Sequence, residues 1–508
     1  MIKTVCVLGA GSAGLLTALA LRRKLPQLAV RVIRSPEIGV IGVGEGTTPL
    51  FPQMLFGYLG LKRKQFYAEA APIWKLGGRF IWGARSGGFN YPFEFTFERR
   101  LPGLPKATGF YCEEDYDFVH VPAALMSLDK AFPRRPDGSP ELLEYYAFHL
   151  ENERLVTYLE SVSRALGVVI TDGKVVGVEP GLAGVTALQL ESGERVEADF
   201  FVDASGFRSE LLGKALGVPS ISYASSLFCD RAVIGGWPRT DEPIRPYTTQ
   251  ETMDAGWAWR IDHEGYINRG YVYSSRFAGD DEARAEFLGK NPKIDPEKTR
   301  VVKFTSGRRE QTWKGNVVAV GNASAFVEPL EATALNNLAL QIKLLIQVLE
   351  HSELAPTPSM IEIYNLRFRN WWDDTRDFLA LHYRFNKRSE TPFWRMCCEE
   401  TDLGLLDPFV RFYRENGPTR MALHALPHGR AIYGLEGHLA VLVGCKVPYE
   451  KRYAPTRQEQ TQWRQLLAEH RRQADRALDV KQTLELLRRP GWSWDAYQPQ
   501  AGRTSLSL

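Results

Sequence analysis

Val5-Cys6-Val7-Leu8-Gly9-Ala10-Gly11-Ser12-Ala13-Gly14 is the stretch on which the fold turns. Its four leading apolar residues fit a buried parallel strand, and the run from Leu15 to Arg23, rich in Leu and Ala, fits a helix. Val30-Arg31-Val32-Ile33 supplies a second strand, completing strand, tight turn, helix and strand within about 30 residues. In that setting Gly9, Gly11 and Gly14 fit the dinucleotide-binding pattern. Gly9 permits the tight turn, Gly11 lets the backbone approach a pyrophosphate, and Gly14 lets the helix pack on the strand. Ser12 and Ala13 open that helix, where free N–H groups and the positive dipole end suit phosphates. An acidic residue usually ends the second strand and meets a ribose. Here Arg34 stands in that place, suited to a phosphate or to simple exposure, with Glu37 out of register behind it.

Working outward, Glu144 to Leu166 carries a helical pattern that leads into Gly167-Val168-Val169-Ile170. A small antiparallel region is expected over about 168–200, with turns at Glu179-Pro180-Gly181 and Glu191-Ser192-Gly193. Phe200 to Asp203 and Val317 to Gly321 read as further buried strands, and Ala334 to Leu349 as a long apolar helix. Beyond residue 350 helical spacing dominates, over Met360 to Leu381 and Thr461 to Leu487, and Ala501 to Leu508 is expected to be a loose tail. The expected division is 1–345, an α/β unit with an antiparallel sheet, and 346–508, a mostly helical subdomain.

Composition narrows the function classes. A net charge of +3 on 508 residues gives no reason to expect a nucleic-acid partner. No run of about 20 apolar residues is present, so no membrane span is expected. The six cysteines, Cys6, Cys112, Cys229, Cys397, Cys398 and Cys445, form no CxxC pair, which fits reduced thiols in a cytoplasmic protein. Asp262-His263-Glu264 are metal-capable residues, but successive side chains on a strand alternate faces, so no metal site is expected.

Several separate segments resemble the flavin-dependent halogenases of the tryptophan-halogenase family. Val40-Ile41-Gly42-Val43-Gly44-Glu45-Gly46-Thr47-Thr48-Pro49 looks like the family's loop near the flavin, and Trp74-Lys75-Leu76-Gly77 like the segment with the active-site lysine. Asp203-Ala204-Ser205-Gly206-Phe207-Arg208 and Glu328-Pro329-Leu330-Glu331-Ala332-Thr333 are similar to two further family elements. Gly256-Trp257-Ala258-Trp259-Arg260-Ile261 resembles the WxWxIP signature, although Asp262 replaces its proline. Arg376-Asp377-Phe378 with His382-Tyr383, and Thr391-Pro392-Phe393-Trp394, also fit, so the resemblance spans roughly residues 1–400.

The resemblance implies a Rossmann-type FAD-binding domain of the flavin monooxygenase kind, with an antiparallel substrate sheet. It implies halogenation of an electron-rich indole, phenol or pyrrole by way of a flavin hydroperoxide, hypohalous acid and Lys75, with Glu331 as partner carboxylate. FAD would contact Gly9, Gly11, Ser12, Ala13, Gly14, Gly44, Glu45, Asp203, Gly321 and Asn322. A chloride or bromide ion would sit at the backbone of Thr333 and Ala334, where a helix begins. Tyr91 and Phe93 would stack on the substrate, and Trp257 and Trp259 would separate it from the flavin, unless those two are simply core aromatics on one strand face. A separate flavin reductase would supply FADH2, no second nucleotide site being visible, to a monomer or homodimer. An aromatic hydroxylase and a non-catalytic flavin-binding protein remain the competing readings.

Overall fold

The computed structural model describes residues 1–37, 39, 44–93, 104, 117–143, 145–427 and 433–494. Val40 to Val43, Cys112, Glu144 and the tail Ala501 to Leu508 lie outside the described residues. A six-stranded sheet runs Trp313–Lys314, Val317–Ala319, Phe200–Asp203, Thr4–Leu8, Ala29–Arg34, Val169–Asp172. Only Trp313–Lys314 is antiparallel to its neighbour. Helix Ser12–Lys24 buries Leu15, Ala18 and Leu19 completely against this sheet. Its close approach needs glycine at position 14, because a Cβ there would meet the Gly9 carbonyl oxygen at 1.9 Å.

Two expectations shift here. Val169–Asp172 is the parallel edge of the Rossmann sheet, and the antiparallel region is the smaller set Val175–Gly181, Gly184–Leu190 and Arg195–Glu197. The turn at Glu191-Ser192-Gly193 is present, whereas the first hairpin turns later, at Leu182-Ala183. Pro180 is tolerated in the strand because it lies on an edge, beside a register shift, where a missing N–H breaks no regular ladder. The helical pattern from Glu144 also divides: Ala147–Leu150 is a strand, and the helix spans Asn152–Ala165. Four consecutive buried residues satisfy either assignment from sequence. Pairing decides it, since Ala147–Leu150 lies between Glu45–Gly46 and Ile73–Lys75 in a three-stranded sheet.

A seven-stranded sheet forms the second layer, in the order Arg300–Lys303, Arg231–Pro238, Tyr266–Tyr273, Gly256–Asp262, Thr248–Met253, Gly77–Ile81, Phe89–Pro92. All its pairs are antiparallel except Thr248–Met253 with Gly77–Ile81. Helix Thr333–His351 packs against the first helix and against Pro358–Arg384, so residue 345 falls inside a continuous helix. The remaining chain is mostly helical: Pro392–Glu400, Asp407–Asn416, Gly434–Gly444, Arg457–Asp475 and Val480–Leu487. The expected run Thr461 to Leu487 breaks where Leu478–Asp479 pairs with Lys130–Phe132, and the Asp479 carboxylate caps the next helix at the Gln482 N–H, 2.8 Å. Among the described residues no helix is long and apolar enough to cross a membrane.

The glycine turn yields a paired prediction. A Cβ at Gly11 meets nothing within 4 Å, unlike one at Gly14. Gly11→Val is therefore expected to fold normally yet bind FAD at least about tenfold more weakly. Gly14→Ala is expected to lower the melting temperature itself. Circular-dichroism melts and flavin-fluorescence titration of the two variants separate these effects.

Candidate active site

Lys75 ends the strand Ile73–Lys75 and is 3% exposed. Ala147–Leu150 pairs with it on one side and with Glu45–Gly46 on the other, which draws the flavin-loop segment up to the lysine. Gly46 is the point of closest approach. A Cβ there would stand 3.4 Å from Lys75 Nζ, 3.4 Å from the Ala332 methyl and 3.5 Å from Thr248 Oγ1. Burial pulls the Lys75 ammonium down to about 8, and the nearby Glu331 charge opposes that only in part. The amine makes no hydrogen bond to a described residue and faces a cavity. Beside it His149 is held well below its ordinary value, by burial first and the Lys75 charge second. A neutral His149 ring hydrogen-bonds Thr248 Oγ1 at 2.9 Å.

Glu331 sits in the turn Pro329–Glu331 and is 9% exposed. Its Oε1 lies 2.7 Å from His382 Nε2, while His382 Nδ1 lies 3.0 Å from the Phe378 carbonyl. The imidazole is fully buried between two oxygens, and satisfying both takes two protons shared by ring and carboxyl. The pair is thus imidazolium with carboxylate, or imidazole with carboxylic acid. Lys75 and Glu331 are near enough to feel each other's charge without a contact within 4.0 Å. Tyr433 stacks on Phe378 at 4.1 Å, adding an aromatic wall beside this carboxyl.

The chain then turns left-handed at Ala332, φ 55°, and helix Thr333–His351 begins. Such a conformation costs a non-glycine residue about 1–2 kcal/mol, so the surrounding packing must enforce it. No side chain caps that helix N-terminus, and Thr333 and Ala334 line the cavity, so unpaired N–H groups are available there for an anion.

The cavity measures about 930 Å³. Gly9, Gly11, Ser12, Ala13, Gly44, Glu45, Gly321 and Asn322 all line it, together with Lys75 and Trp259. Gly14 packs behind the turn. Asp203 is fully buried and accepts from the Leu211 and Leu212 N–H groups at 2.9 Å each, so it holds the following segment instead of lining the cavity. Burial raises the Glu45 carboxyl to about 7 against a hydrogen bond from Asn152. Gln250 Oε1, Trp259 Nε1 and Ser35 Oγ are buried on its lining with no partner among the described residues. A cavity of this size lined by a glycine turn and by orphaned polar atoms fits FAD. Arg34 also lines it, but its guanidinium is tied to Asp172 and Glu160, both at 2.7 Å.

The two tryptophans have different surroundings. Trp259 walls the cavity, its ring lying over Gly270. Trp257 donates from Nε1 to Glu328 at 2.9 Å in the core. Burial lifts the Glu328 carboxyl to about 7, against its bonds from Tyr383 and Trp257. Phe93 lies near the lysine, its ring centroid 5.4 Å from Nζ, while the Tyr91 hydroxyl points at Gly437. Asp262, in the place of the motif proline, is fully buried and pairs with Arg239 at 2.6 Å and Arg260 at 3.1 Å. His263 backs Gly44, and Glu264 is tied to Arg488 at 2.7 Å, so the three neighbours serve separate contacts. His382, Tyr433, His149 and Thr248 are the site residues that sequence reasoning gave no role. The one signal for them was Phe378 and His382, four residues apart on a helix.

Comparison with known proteins agrees with this fold. The family model described as tryptophan halogenase matches residues 4–461. The chain is 33% identical over 456 residues to tryptophan 6-halogenase ThaL of Streptomyces albogriseolus, covering 83% of each chain. It is 30% identical to tryptophan 7-halogenase RebH of Lentzea aerocolonigenes over 420 residues, 78% of each. Among solved structures, MibH, a lanthipeptide tryptophan 5-halogenase, superposes with a TM-score of 0.87 at 39% identity, covering 96% of this chain and 93% of that one. BrvH, a flavin-dependent halogenase from Brevundimonas sp. BAL3, gives 0.85 at 26% identity, with 96% and 99% covered. The chain belongs to the tryptophan halogenase family and is a flavin-dependent halogenase, an enzyme that uses reduced flavin to halogenate an aromatic substrate.

Proposed function

We propose that the chain halogenates the indole of a tryptophan side chain within a peptide, with Lys75 and Glu331 as its catalytic groups. The observation that carries the catalytic part is the buried Lys75 amine, open to the cavity beside a carboxyl fixed by His382. Peptide-borne tryptophan is favoured because, among the superposed structures, the 39% identity to a lanthipeptide tryptophan halogenase exceeds the 26% and 28% to two tryptophan 6-halogenases, SttH and Tar14.

Reduced FAD, delivered by a separate reductase and held at the glycine turn, would supply two electrons to oxygen, which would take two more from the halide to give hypohalous acid and water. The N–H groups of Thr333 and Ala334 hold the halide at the cavity wall. Lys75 receives the hypohalous acid and orients its halogen toward the ring, in a compartment where few waters compete for it. The ring carbon bonds the halogen, the halogen–oxygen bond breaks, and the oxygen takes a proton from the Lys75 ammonium and leaves as water. The Glu331 carboxyl group, held by His382 at 2.7 Å, is placed to take, as carboxylate, the proton that the ring carbon then releases. Trp259 closes the flank toward the isoalloxazine.

With NADH, a flavin reductase, oxygen and bromide, we expect a monobrominated product from a tryptophan-containing peptide, read by mass spectrometry. Lys75→Ala should retain FAD and make none, and Glu331→Gln should lose about 100-fold or more in rate. Halogenated product from Lys75→Ala, or oxygen insertion independent of halide, would overturn the mechanism. Brominated free tryptophan with an untouched peptide would overturn the substrate assignment alone.

The buried amine also sets a stability signature. Unfolded, it titrates near 10.5, and folded near 8. The folded state binds fewer protons between those values, so stability climbs as pH rises through that window. In FAD-free protein at pH 7, Lys75→Met should be more stable than wild type by about 3 kcal/mol. Urea titrations between pH 7 and pH 10.5 should show that gap closing, and a constant gap would mean the amine is not desolvated.

A further inference from the structure

The seven-stranded sheet has a second cavity on its far face, about 560 Å³ in volume. Along Thr248–Met253 the side chains alternate, Thr248 and Gln250 lining the cofactor cavity, Thr249 and Glu251 the rear one. Register sets Arg79 opposite Thr249, Thr249 opposite Arg260, and Arg260 opposite Arg269. Three guanidinium groups therefore share one cross-strand row, two of them directly opposed, an arrangement that costs stability unless negative charge answers it.

Protein carboxylates answer most of it. Asp262 pairs with Arg260 at 3.1 Å, and Glu251 with Arg269 at 2.9 Å and Lys290 at 3.6 Å. Glu242 takes Lys293 at 2.7 Å, and Arg79 donates to Asn90 at 2.8 Å with Asp117 at 3.9 Å. Arg245 is left over. Its Nε is buried without a hydrogen bond, and no described carboxylate pairs with it. The Thr249 hydroxyl, in a residue 8% exposed, is likewise buried with no partner. A half-buried guanidinium with a buried, unused N–H and an unused hydroxyl facing the same cavity each carry a cost that a single ligand removes.

We propose that this rear cavity is a binding site for a small oxyanion, a carboxylate or a phosphate, held by Arg245 and the Thr249 hydroxyl. An oxyanion offers what both groups lack: negative charge for the guanidinium and lone pairs for the O–H. The site is separate from the cofactor cavity and stands whatever the substrate of the halogenation.

The test uses FAD-saturated enzyme, so that the pyrophosphate-binding turn is filled. Melting temperatures are compared in sodium phosphate, sodium succinate and sodium chloride at equal ionic strength, for wild type, Arg245→Gln and Thr249→Val. Phosphate or succinate should raise the wild-type midpoint above chloride, and whichever does so identifies the anion class. Arg245→Gln should abolish the rise, and Thr249→Val should weaken binding about tenfold in calorimetric titration. In chloride alone both variants should be at least as stable as wild type, since each removes an unsatisfied group. No rise with either oxyanion, or an equal rise in Arg245→Gln, overturns the proposal. Should Arg245→Gln fail to retain FAD, unchanged affinity in the isosteric Thr249→Val overturns it equally.

Discussion

Keeping a primary amine out of water sets the terms for the rest of this candidate site. Lys75 is nearly inaccessible, and the desolvation that lowers its proton affinity is the largest electrostatic effect on it. Removing water requires walls from segments distant in sequence. Glu45–Gly46, Ala147–Leu150 and Ile73–Lys75 form one small sheet, while Ala332 and Thr248 close in from other elements. A methyl at position 46 would already touch Ala332, Lys75 and Thr248, so a side chain larger than that would hold those walls apart. The strained Ala332 backbone belongs to the same enclosure, because it brings an alanine methyl toward Gly46 and starts the helix whose N–H groups face the cavity.

Electrostatics inside the enclosure are arranged in a graded way. His149 stays neutral beside the amine, so it adds no second positive charge. Glu331 stands farther off and is fixed by His382, which itself is anchored at the Phe378 carbonyl. Glu45 and Glu328 are both raised to about 7 by burial, one on the cavity and one in the core behind Trp257. A chamber with so few compensating charges favours groups that can change protonation at modest cost.

The N-terminal turn, the first two parallel strands and the C-terminal helices were legible in the sequence because each is a local pattern: glycine spacing, short apolar runs, helical periodicity. Lys75 and Glu331 were legible only through resemblance, since a lone lysine and a carboxylate before a helix carry no chemistry by spacing. Ala147–Leu150 was hidden because burial on both faces erases the alternation that marks a strand, and its identity comes from partners about 75 and 100 residues away. The role of His382 escaped for a related reason, although the residue itself fell within a matching segment. Its value lies in a 2.7 Å contact across 51 residues, and no periodicity records such a contact. Asp262 looked like damage to a motif, and pairing with Arg239 and Arg260 shows the buried charge to be compensated.

Trp259 lies over Gly270 on the neighbouring strand, where a methyl group would come within 2.0 Å of the indole carbons. Any larger residue there would lever the ring off the strand and into the cavity it borders. The width of the cavity at Trp259 is thus governed from outside its lining, by a hydrogen atom on the next strand over. A family member would narrow or widen it by changing residue 270 while leaving every group that lines it untouched.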